Sequence, residues 1–138
     1  MSEERDKYTG GQFLHSDDLL AAFKSTGKRA TTATIREVIP GGTLTDSRKQ
    51  RVEEKCLAFE KSSKVLVLNT TNHRILRMNL GVKEDEWVGS AVMLVVRWLD
   101  CFGEKDVPAI RVWPDDGRLP FGLRKHFGSE EPKHENTQ

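Results

Sequence analysis

Four histidines and two cysteines are the residues of this 138-residue chain best suited to metal binding or nucleophilic attack. Their spacing supports neither. His15, His73, His126 and His134 are scattered through helix, loop and tail. No two of them stand at the interval that places a metal-binding pair on one helix face. Cys56 and Cys101 lack the close spacing of a zinc finger and are too few for a disulfide framework. Cys56 falls in a predicted strand, where a small buried hydrophobe is a simpler reading than a nucleophile. Cys101 falls beside the Asp100 to Gly103 turn. Asp17-Asp18 and Asp115-Asp116 could hold a metal only with distant partners, and a helix start and a turn account for them more cheaply. Gly41-Gly42 lacks the Lys-Ser or Lys-Thr that completes a phosphate loop. The chain is therefore expected to be no enzyme, with no cofactor and no metal.

Charge is more informative. Lys plus Arg is 22 against 21 for Asp plus Glu, so the formal net charge is only +1. That excludes a globally basic protein of the histone kind, but the sum hides the distribution. Residues 61 to 83 carry Lys61, Lys64, Arg74, Arg77 and Lys83 with no acidic residue. Residues 84 to 114 carry six acidic and three basic ones. A face built from the basic stretch could hold phosphates and steer a polyanion. Charges on a short exposed helix serve solvation equally well, and composition does not choose between the two.

Aromatic side chains would supply stacking platforms to unpaired bases. Trp87, Trp98, Trp113, Phe59 and Tyr8 are the candidates, although most aromatics of a small domain pack its core. Trp98 shares a strand face with Val92, Leu94 and Val96 and reads as core. Arg111 and Trp113 share a face of the last strand. If that face meets solvent, the pair forms a binding patch with Arg36 as a possible neighbour.

The elements that must position these residues follow from patterning. Ser16 is a plausible N-cap for a short helix through Phe23, with Asp17 and Asp18 in its first turn. Residues 30 to 39 are rich in Thr, Ile and Val and read as a strand, stopped by Pro40-Gly41-Gly42. Thr43 to Arg51 reads as a polar loop, and residues 52 to 60 as a second, less regular strand. Lys61-Ser62-Ser63 fits a hairpin turn before a third strand, Lys64 to Leu68. Asn69 and Asn72 flank a strand-to-helix transition, where their side chains suit backbone capping. A helix over 71 to 80 follows, closed by Gly81. After an acidic turn come a fourth strand over 88 to 99 and a fifth over 107 to 113. Pro108 near its start suits an edge.

Three strands, a helix and two strands are the order of the OB-fold, so the expected fold is mainly β: an OB-fold-like five-stranded barrel with a short helix between strands 3 and 4. A small α+β roll is the alternative. The domain is expected over residues 13 to 116, with a flexible N-terminus at 1 to 12 and a largely disordered tail at 117 to 138. Phe121, Leu123 and Phe127 interrupt that tail and could dock on the core or on a partner. The polar N-terminus resembles no signal peptide, and the longest apolar run is too short to span a bilayer. These features predict a cytoplasmic protein, a monomer or weak homo-oligomer.

Lys64-Val65-Leu66-Val67-Leu68-Asn69-Thr70-Thr71-Asn72 is similar to a pattern in small uncharacterised phage and prophage proteins. There an apolar strand ends in Leu-Asn-x-Thr-Asn and runs into a short helix closed by Leu-Gly, matched here by Leu80-Gly81. The likeness extends through Trp87-Val88-Gly89 to Ile110-Arg111-Val112, and back to Phe13-Leu14 and Asp18-Leu19. Such genes often lie among replication and recombination genes, so the resemblance implies nucleic-acid handling. With the basic stretch, it leads to an expected non-enzymatic module for single-stranded DNA. The expected contacts are Lys61, Lys64, Arg74, Arg77, Lys83, Arg36, Arg111 and Trp113. The alternative is a protein-docking or accessory module of a phage or host complex, with a partner taken by the 117 to 138 tail.

Overall fold

The computed structural model describes residues 13–46, 48–101, 103–114 and 127–133. The expected flexible N-terminus, the tail segments 117–126 and 134–138, and Tyr8, Phe121 and Leu123 lie outside them. Helix α1 spans Ser16–Thr26 and helix α2 spans Thr70–Leu80. The strands are β1 (Thr31–Ile39), β2 (Leu44–Thr45), β3 (Arg51–Val52), β4 (Cys56–Phe59), β5 (Val65–Val67), β6 (Ala91–Cys101) and β7 (Glu104–Pro114). A turn of 3-10 helix, Glu84–Trp87, stands where the acidic turn is predicted.

Five strands form one antiparallel sheet in the order β5-β4-β1-β6-β7. Strand β1 serves two partners. Its first half, Thr31 to Thr34, pairs with β6, and its second half, Ile35 to Ile39, pairs with β4. The register shifts between Ile35 and Glu37, and such a bulge bends a strand and increases its twist. The sheet therefore curls into a half-barrel, with β5 at one end and β7 at the other. Their pairing would close a barrel, and no ladder joins them among the described residues.

Both ends of the sheet are occupied by other groups. Phe13 forms a parallel bridge with Val65, and the Leu14 N–H donates to the Val65 carbonyl at 2.7 Å. At β7 a side chain takes the role of a strand: Asn72 Nδ2 donates to the Ile110 carbonyl at 3.0 Å, and Asn72 Oδ1 accepts the Val112 N–H at 3.1 Å.

The core is double because β4 is buried on both faces. Leu57 and Phe59 join the main cluster with Ile35, Ile75, Leu76, Trp87, Val92 and Val112. Cys56 and Ala58 point the other way, into a smaller cluster with Phe13, Ile39, Leu44 and Val65. The β2–β3 hairpin makes that second cluster possible by laying Leu44 over it. This hairpin stands in the segment whose polar composition reads as a loop. Its backbone approaches closely: a Cβ on Gly41 would run into the Glu53 carbonyl oxygen.

Helix α1 is capped by His15 rather than by Ser16. The Asp18 carboxylate accepts the His15 N–H at 2.8 Å, which leaves Ser16 as the first helical residue. Helix α2 starts at Asn69, whose side chain accepts the Asn72 N–H at 2.8 Å. Gly81, at φ 110°, ends it, and the Trp87 indole donates to the Gly81 carbonyl at 2.8 Å.

Part of the predicted tail belongs to the fold. Phe127 is buried in the main cluster. Ser129 exchanges two backbone hydrogen bonds with Trp98, at 2.9 and 3.0 Å. Gly128 makes the approach possible: its φ is +98°, and a Cβ there would stand 2.8 Å from Leu99 Cδ2 and 2.9 Å from Arg97 Cβ.

Candidate functional site

The unclosed seam of the half-barrel is a cleft of about 650 Å³. One wall is β5, with Leu66 and Val67, and the opposite wall is β7, with Pro108, Ala109 and Ile110. The start of α2 supplies Asn69 and Asn72, and the segment before α1 supplies His15 and Ser16. The β2–β3 hairpin and its exit contribute Asp46, Arg51, Val52 and Glu54. Pro108 is suited to this edge because it has no N–H to leave unpaired.

The hairpin tip is held by Asp46, whose Oδ1 accepts the Arg48 and Gln50 N–H groups, both at 2.9 Å. Lys49 adopts φ 64° at the tip. Arg48, Lys49 and Arg51 are all exposed. Of these three cations Arg51 lines the cleft, whose own carboxylates are Asp46 and Glu54, and Arg48 and Lys49 stand at the tip of the same hairpin. Sequence reasoning missed them by treating the segment as a loop. The available signal was Arg48-Lys49-Gln50-Arg51, placed in the connection between the first two strands of the main sheet.

A second cluster, outside the lining of the cleft, ties three segments together. Lys55 Nζ donates to both Glu84 oxygens, at 2.6 and 2.7 Å, and His73 Nε2 lies 2.6 Å from Glu84 Oε2. The His73 ring tilts against Trp87, with centroids 5.7 Å apart. Desolvation pushes the Glu84 carboxyl up, but the hydrogen bonds and charges of Lys55 and His73 outweigh it and hold it below the ordinary glutamate value.

This cluster changes the picture of one basic and one acidic face. Glu84, from the acid-rich stretch, is turned onto His73, from the basic one. Lys64 is likewise committed, with Nζ 3.2 Å from Asp18 Oδ1. The His15 N–H bond is the largest influence on Asp18, and together with Lys64 it overrides desolvation to lower that carboxyl. Lys61 is exposed in the β4–β5 turn, and Arg74, Arg77 and Lys83 are exposed at and beyond α2. Arg36 is half-buried and lines a separate hollow with Glu37, Lys55, Glu84 and Asp85. None of these predicted contacts lines the seam cleft.

The expected Arg111–Trp113 patch does not face solvent. Arg111 is 3% exposed. Trp113 is half-buried and meets Phe127 edge-on, with ring centroids 4.9 Å apart. The Arg97 guanidinium stacks over the other side of this contact, 5.3 Å from the Phe127 centroid. Trp113 and Arg97 stand diagonally across the Val95–Arg111 cross-strand pair, and both meet Phe127. Burial lowers the Arg111 guanidinium from its usual range. Arg36 is not its neighbour either, because β6 separates β1 from β7.

The remaining aromatics also serve packing. Trp87 and Phe59 are buried, and Trp98 is half-buried against the main cluster. Among the described residues, the exposed large apolar side chains are Met78, Val82 and Val88. Cys56 is buried, which pushes its thiol up to about 11 and removes it as a nucleophile at neutral pH. Among the described residues, no three His, Cys, Asp or Glu side chains gather in a way that could hold a metal ion. No described helix is long and apolar enough to cross a membrane.

No protein-family model, curated protein or solved structure matches the chain.

Proposed function

We propose that the domain is a binding module for single-stranded nucleic acid, of OB-fold type, that works without catalytic chemistry of its own. The seam cleft carries the proposal. It is walled by the third and fifth strands of the half-barrel, with the connection between the first and second beside them, and OB modules offer the third strand and that connection to oligonucleotides. Arg48, Lys49 and Arg51 are the phosphate contacts of this reading. Lys61, Arg74, Arg77 and Lys83 add to the long-range field that draws a polyanion in. Lys64 is held by Asp18 and Arg111 is buried, so neither is a contact.

Asp46 and Glu54 in the same cleft limit its affinity. The half-buried or buried state of Trp87, Trp98 and Trp113 leaves phosphate contact as the main source of binding. Such binding weakens steeply with salt, because each neutralised phosphate releases counterion. The resemblance to phage and prophage proteins supports a setting in replication or recombination.

The test is fluorescence anisotropy with labelled oligothymidylate and a labelled duplex at low and at physiological salt. Binding of the single strand at low salt, lost in the Arg48→Glu/Arg51→Glu variant, is the expected result. No low-salt binding, or binding unchanged in that variant, rejects the proposal.

A further inference from the structure

Helix α2 and the residues after it carry exposed apolar side chains that the nucleic-acid reading does not use. Met78 is 52% exposed and Val82 is 69% exposed. Arg74, Arg77 and Met78 lie three and four residues apart, which places them on one helix face. Gly81 still donates to the Arg77 carbonyl, at 3.1 Å, so Val82 follows directly on the last helical turn, with Lys83 beside it. Unlike Lys55, Lys64 and His73, the three cations Arg74, Arg77 and Lys83 make no ion pair among the described residues. The nearest acidic side chain in sequence, Glu84, is turned onto Lys55 and His73, and the exposed Asp85 and Glu86 that follow it make no ion pair with these cations among the described residues.

Exposed apolar side chains close in sequence to unpaired cations are poorly matched to phosphate, which gains nothing from Met78 or Val82. It is matched to a peptide that brings both carboxylates and an apolar anchor. Exposed methionine suits such a surface because its unbranched, polarizable side chain adapts to an incoming group. Buried apolar anchors hold an interface while rim charges set its selectivity and association rate.

We infer that the C-terminal half of α2, with Val82 and Lys83, is a docking surface for an acidic peptide segment of a protein partner, anchored by a Leu, Ile or Phe side chain on Met78 and Val82. The surface is independent of the seam cleft, which takes only Asn69 and Asn72 from the start of the helix.

A randomised peptide library displayed on phage and panned on the full chain tests this inference. Selected peptides are expected to combine Asp or Glu with a large apolar residue. A synthetic copy of the best of them should bind roughly tenfold more weakly to Met78→Asp and to Arg74→Glu/Arg77→Glu. Both variants alter exposed positions, and the combined fluorescence of Trp87, Trp98 and Trp113 reports whether they remain folded. Failure to select any peptide overturns the inference. So does selection of acidic peptides without an apolar residue, or binding that ignores both variants. Displacement of the selected peptide by oligothymidylate also overturns it, by making the helix part of a nucleic-acid surface. Arg48→Glu/Arg51→Glu should leave peptide binding intact, which separates this outcome from the fate of the cleft.

Discussion

Asn72 and Val112 meet across the end of the sheet: the Asn72 side-chain oxygen accepts the Val112 N–H at 3.1 Å, while its amide nitrogen serves the Ile110 carbonyl at 3.0 Å. One side chain on a helix thus completes two backbone groups of an edge strand. Asn is suited to this because its amide offers a donor and an acceptor in the same arrangement as a peptide group.

Replacing Asn72 by Ala leaves a buried N–H and a buried carbonyl without those partners. The expected loss is about 2 kcal/mol in urea unfolding, with faster hydrogen exchange at the Val112 amide. If that amide stays as protected as in the parent, the side chain does not do what its geometry suggests.

Acid should weaken the Glu84 cluster. The folded-state value of Glu84 lies below its ordinary 4.5, so the stability it contributes is present above that value. It is lost as pH falls through the lowered one. The stability gap between the parent and Glu84→Gln should therefore be widest near neutrality and should close on acidification below the ordinary glutamate range. Asp18, also lowered, adds a parallel loss that a second variant, Asp18→Asn, separates. A gap that grows with acid would mean that Lys55 and His73 do not favour the ionised carboxylate.

Gly128→Ala should release the C-terminal segment. The new Cβ would meet Leu99, Arg97 and the Trp98 carbonyl oxygen within 3.0 Å, at a φ of +98° that side chains disfavour. We expect a loss of at least about 1 kcal/mol. Limited proteolysis should then cut near Ser129 while the sheet remains folded. An unchanged cleavage pattern would mean that the Ser129–Trp98 bridge contributes little.

Elements with their own local signal were legible in the sequence. The Thr- and Ile-rich run of β1, the Asn69 to Gly81 helix and the buried Cys56 all carry their cause in neighbouring residues. The β2–β3 hairpin does not, because strands of two residues are too short to show alternation. Arg111 shows a different limit. Alternation correctly places it with Trp113, opposite Ile110 and Val112. Its burial has no signal within the strand, and the neighbouring Trp113 packs on Phe127, a residue that arrives from beyond the strand. The seam was invisible for the same reason: Phe13 and Asn72, both distant in sequence from the strands they serve, occupy the edges that a closed barrel would pair.

The bridge from Ser129 to Trp98 also makes the sheet depend on residues translated after its last strand. A domain folds as a unit. Every strand of the sheet is complete by Pro114, yet the main cluster gains Phe127, and Trp98 its bridge to Ser129, only from the chain beyond. A chain cut short between these points would hold every strand and lack part of its core.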